Sequence, residues 1–174
     1  ARQDGRKGVR NLVAVVYLVE CARHLAEVVA APWRDPLSGG TGDVQAMGFP
    51  GCYPSAYGHR MLERLLTHPN VGSVLLVSLG CEGFDKRRLA VAIEASGRPV
   101  EVLTIQDAGG TLSAVEAGRM YVERIGTEIA DGPRVEMTPS DLIVGTICGG
   151  SDGTSGITGN PAAGHAFDRL IEAG

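Results

Sequence analysis

Three runs of apolar and β-branched residues constrain the fold of this chain more than any other feature. They are LVAVVYLV at residues 12–19, SVLLVSL at residues 73–79 and VEVLTI at residues 100–105. Each run is mostly continuous rather than strictly alternating, which indicates a strand buried on both faces, as in a parallel sheet. A shorter apolar patch at residues 44–49 predicts a fourth strand.

The segments between these runs have helical character. Pro32 is expected to end the first helix, and Asp85 could cap the third. Strands that alternate with helices at this spacing predict a parallel sheet with right-handed crossovers. We therefore expect a three-layer α/β domain of the Rossmann-like or flavodoxin-like class. Its predicted helices cover residues 21–31, 58–67, 86–95 and a longer stretch from Thr111 or Ser113 to about Ile129.

The last part of the chain has a different character. Residues 131–141 are polar and contain two prolines, which is typical of a linker. LIVGTI at residues 142–147 predicts one more strand, and residues 160–174 predict a helix. One strand–helix unit cannot bury both faces of its strand. The strand therefore either joins the preceding sheet or opens a truncated second domain. We favour the second, with domains at residues 1–138 and 139–174.

Charge and hydropathy exclude several classes of protein. The net charge of −4 argues against a nucleic-acid binder, which usually carries a basic patch. No apolar run approaches the roughly 18–20 residues of a membrane span. The first residues, ARQDGRKGVRN, lack the apolar stretch of a signal peptide. We therefore expect a cytoplasmic protein that contacts neither nucleic acid nor membrane.

The four cysteines (Cys21, Cys52, Cys81 and Cys148) are far apart and form no CxxC pair. Their spacing argues against a zinc finger, and disulfides are not expected in the cytoplasm. Each could be a small buried core thiol. Three of them instead follow an apolar run, Cys81 after a single glycine, and ligands gather at that end of a strand in open α/β sheets. Both interpretations stay open.

The glycine-rich segment CGGSDGTSGITGNPAAG, at residues 148–164, is the most specific motif. Its glycines would let backbone amides crowd an anion, and its hydroxyl and amide side chains suit a ligand rich in OH groups. Asp152 could bind a cation or act as an acid–base group. The alternative is a solvent-exposed loop without a ligand. The lining residues expected here are Cys148, Gly149, Gly150, Ser151, Asp152, Ser155 and Asn160.

Other polar groups surround the strands. Arg6 and Arg10 precede the first strand and could bind a substrate carboxylate through their guanidinium groups, or form a solvated arm. SLGCEGFD at residues 78–85 and IQDAGGT at residues 105–111 place carboxylates, amides and glycines after two strands. Ordinary turn chemistry would explain both equally well. The four histidines show no metal-ligand spacing.

Taken together, DGRKGVRN, HPNVGSVLLVSLGCE and CGGSDGTSGITGNPAAG resemble the altronate/galactarate dehydratase family, which also includes the large subunit of sulfolactate sulfo-lyase. The resemblance runs over nearly the whole chain. It implies that residues 1–138 are the middle domain, which contributes to dimerisation in that family. Residues from 139 would open a Rossmann-like catalytic domain, and a small β-clip domain or subunit would be separate.

The resemblance also implies a reaction. Members of this family eliminate water from hydroxy sugar acids to give 2-keto-3-deoxy acids, with Fe²⁺, or else Mn²⁺ or Mg²⁺, as cofactor. Cys148 and Asp152 would then be catalytic, although no base or metal ligand can be assigned. A sulfo-lyase acting on sulfolactate, a non-catalytic assembly module and a binding protein are the alternatives. We expect this segment to be inactive by itself and its enzyme to be a homodimer.

Overall fold

The computed structural model describes residues 1–34, 43–130, 133–147, 149–150 and 152–174. The chain divides into two compact units, Ala1–Arg134 and Val135–Gly174. The domain boundary between residues 138 and 139 remains a prediction. No helix in the described part of the chain is long and apolar enough to cross a membrane.

The first unit is built on a parallel sheet, as predicted. All four strands run in the same direction, in the order β2-β1-β3-β4. β3 is buried along its whole length, because it lies inside the sheet and helices cover both of its faces. The strands are β1 (Leu12–Tyr17), β2 (Val44–Gly48), β3 (Val71–Ser78) and β4 (Val100–Thr104).

Helices complete a three-layer architecture, which confirms the predicted fold class. The first and fourth helices pack on one face of the sheet, around Leu75 and Val77. The second and third pack on the other face, around Val74 and Leu76. The helices of the chain are α1 (Arg23–Arg34), α2 (Ala56–Leu66), α3 (Lys86–Ala95), α4 (Thr111–Ala130) and α5 (Gly159–Glu172).

Two helices begin at side chains that cap them. The Ser55 hydroxyl accepts a hydrogen bond from the Gly58 amide at 3.1 Å, at the start of α2. The Asp85 carboxylate accepts one from the Arg88 amide at 3.0 Å, at the start of α3, which confirms the predicted cap. Each cap satisfies an amide that has no partner within the first turn of its helix.

The prediction that Pro32 ends the first helix is wrong, because α1 continues to Arg34. A proline cannot donate to the carbonyl four residues earlier, which here is that of Val28. Arg119 of α4 supplies the missing donor, with Nη2 at 3.1 Å from the Val28 oxygen. A neighbouring helix thus compensates for the lost hydrogen bond.

The predicted strand at residues 142–147 is also wrong. This segment has no regular structure, and the described residues of the second unit contain no strand. Ile143 and Ile147 are 91% and 92% exposed. A strand forms only when a neighbour satisfies its backbone groups, and the described residues of this unit provide no such neighbour. The predicted helix at residues 160–174 is confirmed as α5.

Candidate functional site

The carboxyl edge of the sheet, meaning the residues that directly follow the four strands, contains a topological switch point. From β1 the chain crosses to β2 on one side of the sheet, whereas β3 and β4 follow on the other side. Ligands of open α/β sheets bind in the crevice at such a point. Here the crevice would lie between the turn Glu20–Ala22 after β1 and residues 79–85 after β3.

Three cysteines lie at this edge with exposed, unbonded side chains. They are Cys21 after β1, Cys52 after β2 and Cys81 after β3. The interpretation of these three as buried core thiols is therefore wrong. Cys148 lies outside the described residues.

Lys86 joins the ends of two neighbouring strands. Its ammonium donates to Ser78 Oγ at 2.8 Å and to Thr104 Oγ1 at 3.1 Å. Beside it, Glu82 Oε2 accepts a hydrogen bond from the Gly80 amide at 2.8 Å. The other carboxylate oxygen, Oε1, is buried and accepts no hydrogen bond within the described part of the chain. Ser78, Gly80 and Glu82 belong to the motif at residues 78–85, whereas Lys86 and Thr104 lie outside it and were not predicted.

The surroundings of Glu82 keep its carboxyl group ionised. Burial by itself would raise the pKa of Glu82. The Ser78 hydroxyl, the amides of Gly80 and Glu82 and the Lys86 ammonium all favour the carboxylate, and together they lower the pKa below its usual value. The edge therefore presents an ionised carboxylate and an ammonium side by side.

Replacing Lys86 with methionine should raise the pKa of Glu82. Methionine fills a similar volume but removes the charge that favours the carboxylate, so the effect of burial on the pKa of Glu82 gains weight. Titration of the Glu82 carboxyl carbon by NMR measures the shift directly. Arg87→Met is the matched control, because Arg87 is an exposed neighbour. Equal Glu82 pKa values in the Lys86→Met variant and the unaltered chain would contradict this account.

Arg6 and Arg10, the predicted carboxylate-binding residues, lie at the opposite edge of the sheet, before β1. Arg6 pairs with Asp4 at 2.7 Å and donates to the Thr67 carbonyl at 2.6 Å. Arg10 is exposed, and its carbonyl accepts a hydrogen bond from Arg2 at 3.1 Å. Much of the Arg6 guanidinium is thus used to hold the N-terminal arm against the end of α2.

Arg98 reinforces the same edge and was not predicted. Its buried guanidinium donates to the carbonyls of Val71 at 3.0 Å and of Ser96 and His68 at 3.1 Å. At Gly8 an added Cβ would lie 2.1 Å from the Pro69 oxygen, so the arm passes directly over that turn. Two of the motifs that carried the family resemblance, DGRKGVRN and HPN, are therefore in direct contact. No spacing in the sequence marks this contact.

In the glycine-rich segment, Asp152 organises a local turn. Its Oδ1 accepts hydrogen bonds from the amides of Thr154 at 2.7 Å and Ser155 at 2.9 Å, and from the Thr154 hydroxyl at 2.6 Å. Those hydrogen bonds, chiefly that from the Thr154 hydroxyl, lower the pKa of Asp152. The carboxylate is therefore ionised at neutral pH, which suits a cation ligand or a weak base better than a proton donor.

Of the other predicted residues of this segment, Gly149, Gly150 and Asn160 are exposed and Ser155 is half-buried. Gly149 and Gly150 have open space where a Cβ would stand. The backbone amide of Asn160 donates to the Ser155 carbonyl at 2.8 Å. Ser151, like Cys148, lies outside the described residues. Within the second unit, the described residues of the segment therefore form an open surface rather than a closed pocket.

The described residues contain no group of three or more His, Cys, Asp or Glu side chains arranged to hold a metal ion. Among the histidines, His59 is buried and stacks on Phe84, with ring centroids 4.4 Å apart. Neither of its ring nitrogens has a hydrogen-bond partner within the described part of the chain. The implied divalent metal therefore does not fit any set of side chains in the described ranges.

Family models match both parts of the chain. The second domain of D-galactarate dehydratase/altronate hydrolase matches residues 1–130. The C-terminal domain of D-galactarate/altronate dehydratase matches residues 139–174. The two matches follow each other in the order that the sequence motifs implied.

Curated relatives agree with the family models. The chain is 33% identical to altronate dehydratase from Bacillus subtilis (strain 168), over 99% of this chain and 36% of the relative. It is 35% identical to galactarate dehydratase (L-threo-forming) from Escherichia coli (strain K12), over 66% of this chain and 23% of the relative. It is 30% identical to (2R)-sulfolactate sulfo-lyase subunit beta from Chromohalobacter salexigens, over 99% of this chain and 43% of the relative. The chain thus spans less than half the length of these relatives. By these matches it belongs to the D-galactarate dehydratase/altronate hydrolase family.

Proposed function

We propose that this chain is part of a hydro-lyase that removes water from a sugar acid of the altronate or galactarate type. The observation that carries the proposal is the pair of consecutive family matches, over residues 1–130 and 139–174. The names of two relatives, altronate dehydratase and galactarate dehydratase, support the same reaction class. The product would be a 2-keto-3-deoxy acid.

The reaction requires a base that removes the proton beside the substrate carboxylate and a positive group that stabilises the resulting enediolate. In the second unit, the ionised Asp152 is the candidate for contact with substrate or cation. Backbone amides at Gly149 and Gly150, with Ser155 and Asn160, would bind substrate hydroxyl and carboxylate groups. A divalent cation, Fe²⁺ or else Mn²⁺ or Mg²⁺, belongs to this proposal, but we assign no step to it because no described residues assemble its site.

The test is an activity assay of the full-length protein, as long as the curated relatives. Altronate, galactarate and sulfolactate are the substrates, and Fe²⁺ is supplied under reducing conditions. We expect a 2-keto acid from one of the two sugar acids. The 174-residue chain alone should be inactive, because its glycine-rich segment is exposed and encloses no substrate. If metal-loaded full-length protein forms no 2-keto acid from either sugar acid, the dehydratase proposal is wrong.

Asp152→Asn separates a chemical role from a structural one. Asparagine keeps an oxygen that can accept the hydrogen bonds of the turn, but it carries no charge. We expect kcat of the full-length enzyme to fall at least about a hundredfold, the usual scale for loss of an acid–base group. Asp168→Asn on α5 is the control with the same change of chemistry. If the Asp152→Asn variant keeps full activity, Asp152 has no chemical role and only shapes the turn.

The relative named (2R)-sulfolactate sulfo-lyase subunit beta supports a second candidate reaction, the elimination of sulfite from sulfolactate. The same substrate panel decides between the two, because sulfite and a 2-keto-3-deoxy acid are distinct products. That name also supports a separate small subunit, such as a β-clip chain. For the assembly of the enzyme, we propose a homodimer formed through the first unit. The free thiols of Cys21, Cys52 and Cys81 support a cytoplasmic location, where disulfides are rare.

A further inference from the structure

The two charged side chains that follow β3 are neighbours, yet they do not bond to each other. The Lys86 ammonium donates to the hydroxyls of Ser78 at 2.8 Å and Thr104 at 3.1 Å. The Glu82 carboxylate accepts a hydrogen bond from the Gly80 amide at 2.8 Å. The ion pairs of the described residues do not include one between Lys86 and Glu82. Each charge is therefore oriented by neutral groups and remains available to a ligand.

Both charged groups have hydrogen-bonding capacity that the described part of the chain does not use. An ammonium has three N–H donors, and the two hydroxyls occupy two of those of Lys86. The Ser78 hydroxyl favours the Glu82 carboxylate but does not bond its buried oxygen Oε1. A buried acceptor without a partner costs free energy, so buried polar atoms nearly always have one. One unused donor thus lies beside one unused acceptor.

Solvent and small molecules can reach this pair of side chains. Glu82 and Lys86 are half-buried, whereas Gly80 and Gln106 are exposed. Gly80 has a φ of 123°, and an added Cβ would collide with the Gln106 carboxamide. Gln106 therefore lies directly over the backbone of the loop after β3 and adds a polar group from the loop after β4. Residues 79–85 also border the topological switch point, where open α/β sheets bind ligands.

The unused groups define the chemistry of a matching ligand. The Lys86 ammonium requires an acceptor, and a carboxylate gives the strongest hydrogen bond of this kind. Oε1 of Glu82 requires a donor. A hydroxyl suits it better than a cation, because a second cation would be desolvated next to the Lys86 ammonium. A small acid with a hydroxyl group beside its carboxylate satisfies both requirements.

We propose that Glu82 and Lys86 form a binding site for a small hydroxy acid at the carboxyl edge of the first unit. The acid's carboxylate accepts from the Lys86 ammonium, and its hydroxyl donates to Oε1 of Glu82. The ligand class agrees with the substrate proposed above, but it follows from the side chains of the first unit alone. Either proposal can fail without the other, because this one is tested by binding and the dehydratase proposal by turnover of the full-length protein.

Titration of the 174-residue chain with lactate, followed by NMR, tests the proposal. The signal of the Gly80 amide is the readout, because this amide bonds to the Glu82 carboxylate. Propionate and alanine are matched probes with three carbons, since they replace the hydroxyl of lactate with hydrogen and with an ammonium. At equal ionic strength we expect a saturable shift with lactate. Propionate and alanine should bind at least about tenfold more weakly, the scale of one hydrogen bond to a charged group.

Two variants separate the contributions of the two side chains. Lys86→Met should weaken the binding of lactate at least about tenfold, because the carboxylate loses its charged donor. Glu82→Met should abolish the preference for lactate over propionate, because no acceptor remains for the hydroxyl. Arg87→Met, the same loss of charge at an exposed neighbour, should keep both the affinity and the preference. Fluorescence of Trp33 in α1 reports whether each variant is folded.

Three outcomes would overturn the proposal. One is the absence of a saturable shift of the Gly80 amide with lactate in the folded, unaltered chain. Another is binding of propionate or alanine as tight as that of lactate, which would show that the site does not select a hydroxyl. The third is unchanged lactate binding in a folded Lys86→Met variant, which would place the acid elsewhere.

Discussion

Replacing Leu75 with alanine should lower the free energy of unfolding of the unit Ala1–Arg134 by about 3 kcal/mol. Leu75 lies in the interior strand β3 and is fully buried among residues of α1, β1 and α4. Truncation removes the favourable free energy of burying the leucine side chain, and it leaves a cavity because helices cover both faces of the sheet. Such changes cost about 2–5 kcal/mol. The loss is large compared with the 5–15 kcal/mol that stabilises a typical domain.

Urea unfolding followed by Trp33 fluorescence measures this loss. Trp33 is the chain's one tryptophan and packs against the same cluster as Leu75, so its emission reports on this unit. Leu112→Ala is the matched control, because Leu112 is 87% exposed. The control should change the free energy of unfolding by no more than about 0.5 kcal/mol. Equal losses in the two variants would contradict the described packing.

Replacing Tyr121 with phenylalanine should remove a component of alkaline unfolding. Burial raises the pKa of the Tyr121 phenol from 10.0 to about 12, because the phenolate would be desolvated. The neutral hydroxyl donates to the Val74 carbonyl at 3.0 Å. The folded state thus retains a proton that the unfolded chain releases near pH 10. The stability linked to this proton is complete below pH 10 and is lost as the pH rises to about 12.

A shift of this size corresponds to about 3 kcal/mol. Unfolding free energies measured at several pH values between 9 and 12 should therefore fall less steeply in Tyr121→Phe than in the unaltered chain. At neutral pH the variant should be less stable by about 1 kcal/mol, because the hydrogen bond to Val74 is lost. Tyr57→Phe serves as control, since Tyr57 is exposed and should leave the slope unchanged. Parallel pH profiles for Tyr121→Phe and the unaltered chain would disprove the assignment.

The candidate site was partly accessible from the sequence. The segment at residues 78–85 stood out because a carboxylate and glycines follow an apolar run. Lys86 did not, because its partners, Ser78 and Thr104, come from two different strands. Asp152 was identified by its motif, yet its engagement with Thr154 and Ser155 required coordinates. Arg6 and Arg10 were assigned to substrate by residue type alone, whereas they lie at the amino edge of the sheet.

Local rules determined much of the first unit. The apolar runs predicted β1, β3 and β4, because a strand covered on both faces needs few polar residues. Asp85 identified the start of α3, because a cap acts on amides within the same turn. The resemblance to the dehydratase family likewise came from three motifs in the chain.

Tertiary structure decided whatever depends on a neighbour. Pro32 does not end α1 because Arg119 of another helix donates to the Val28 carbonyl. Residues 142–147 form no strand because a strand needs a partner for its backbone groups. That the segments after β1, β2 and β3 share one edge of the sheet depends on the order β2-β1-β3 and on its parallel register. Strand order arises from packing and crossover connections over long sequence separations, so no spacing along the chain encodes it.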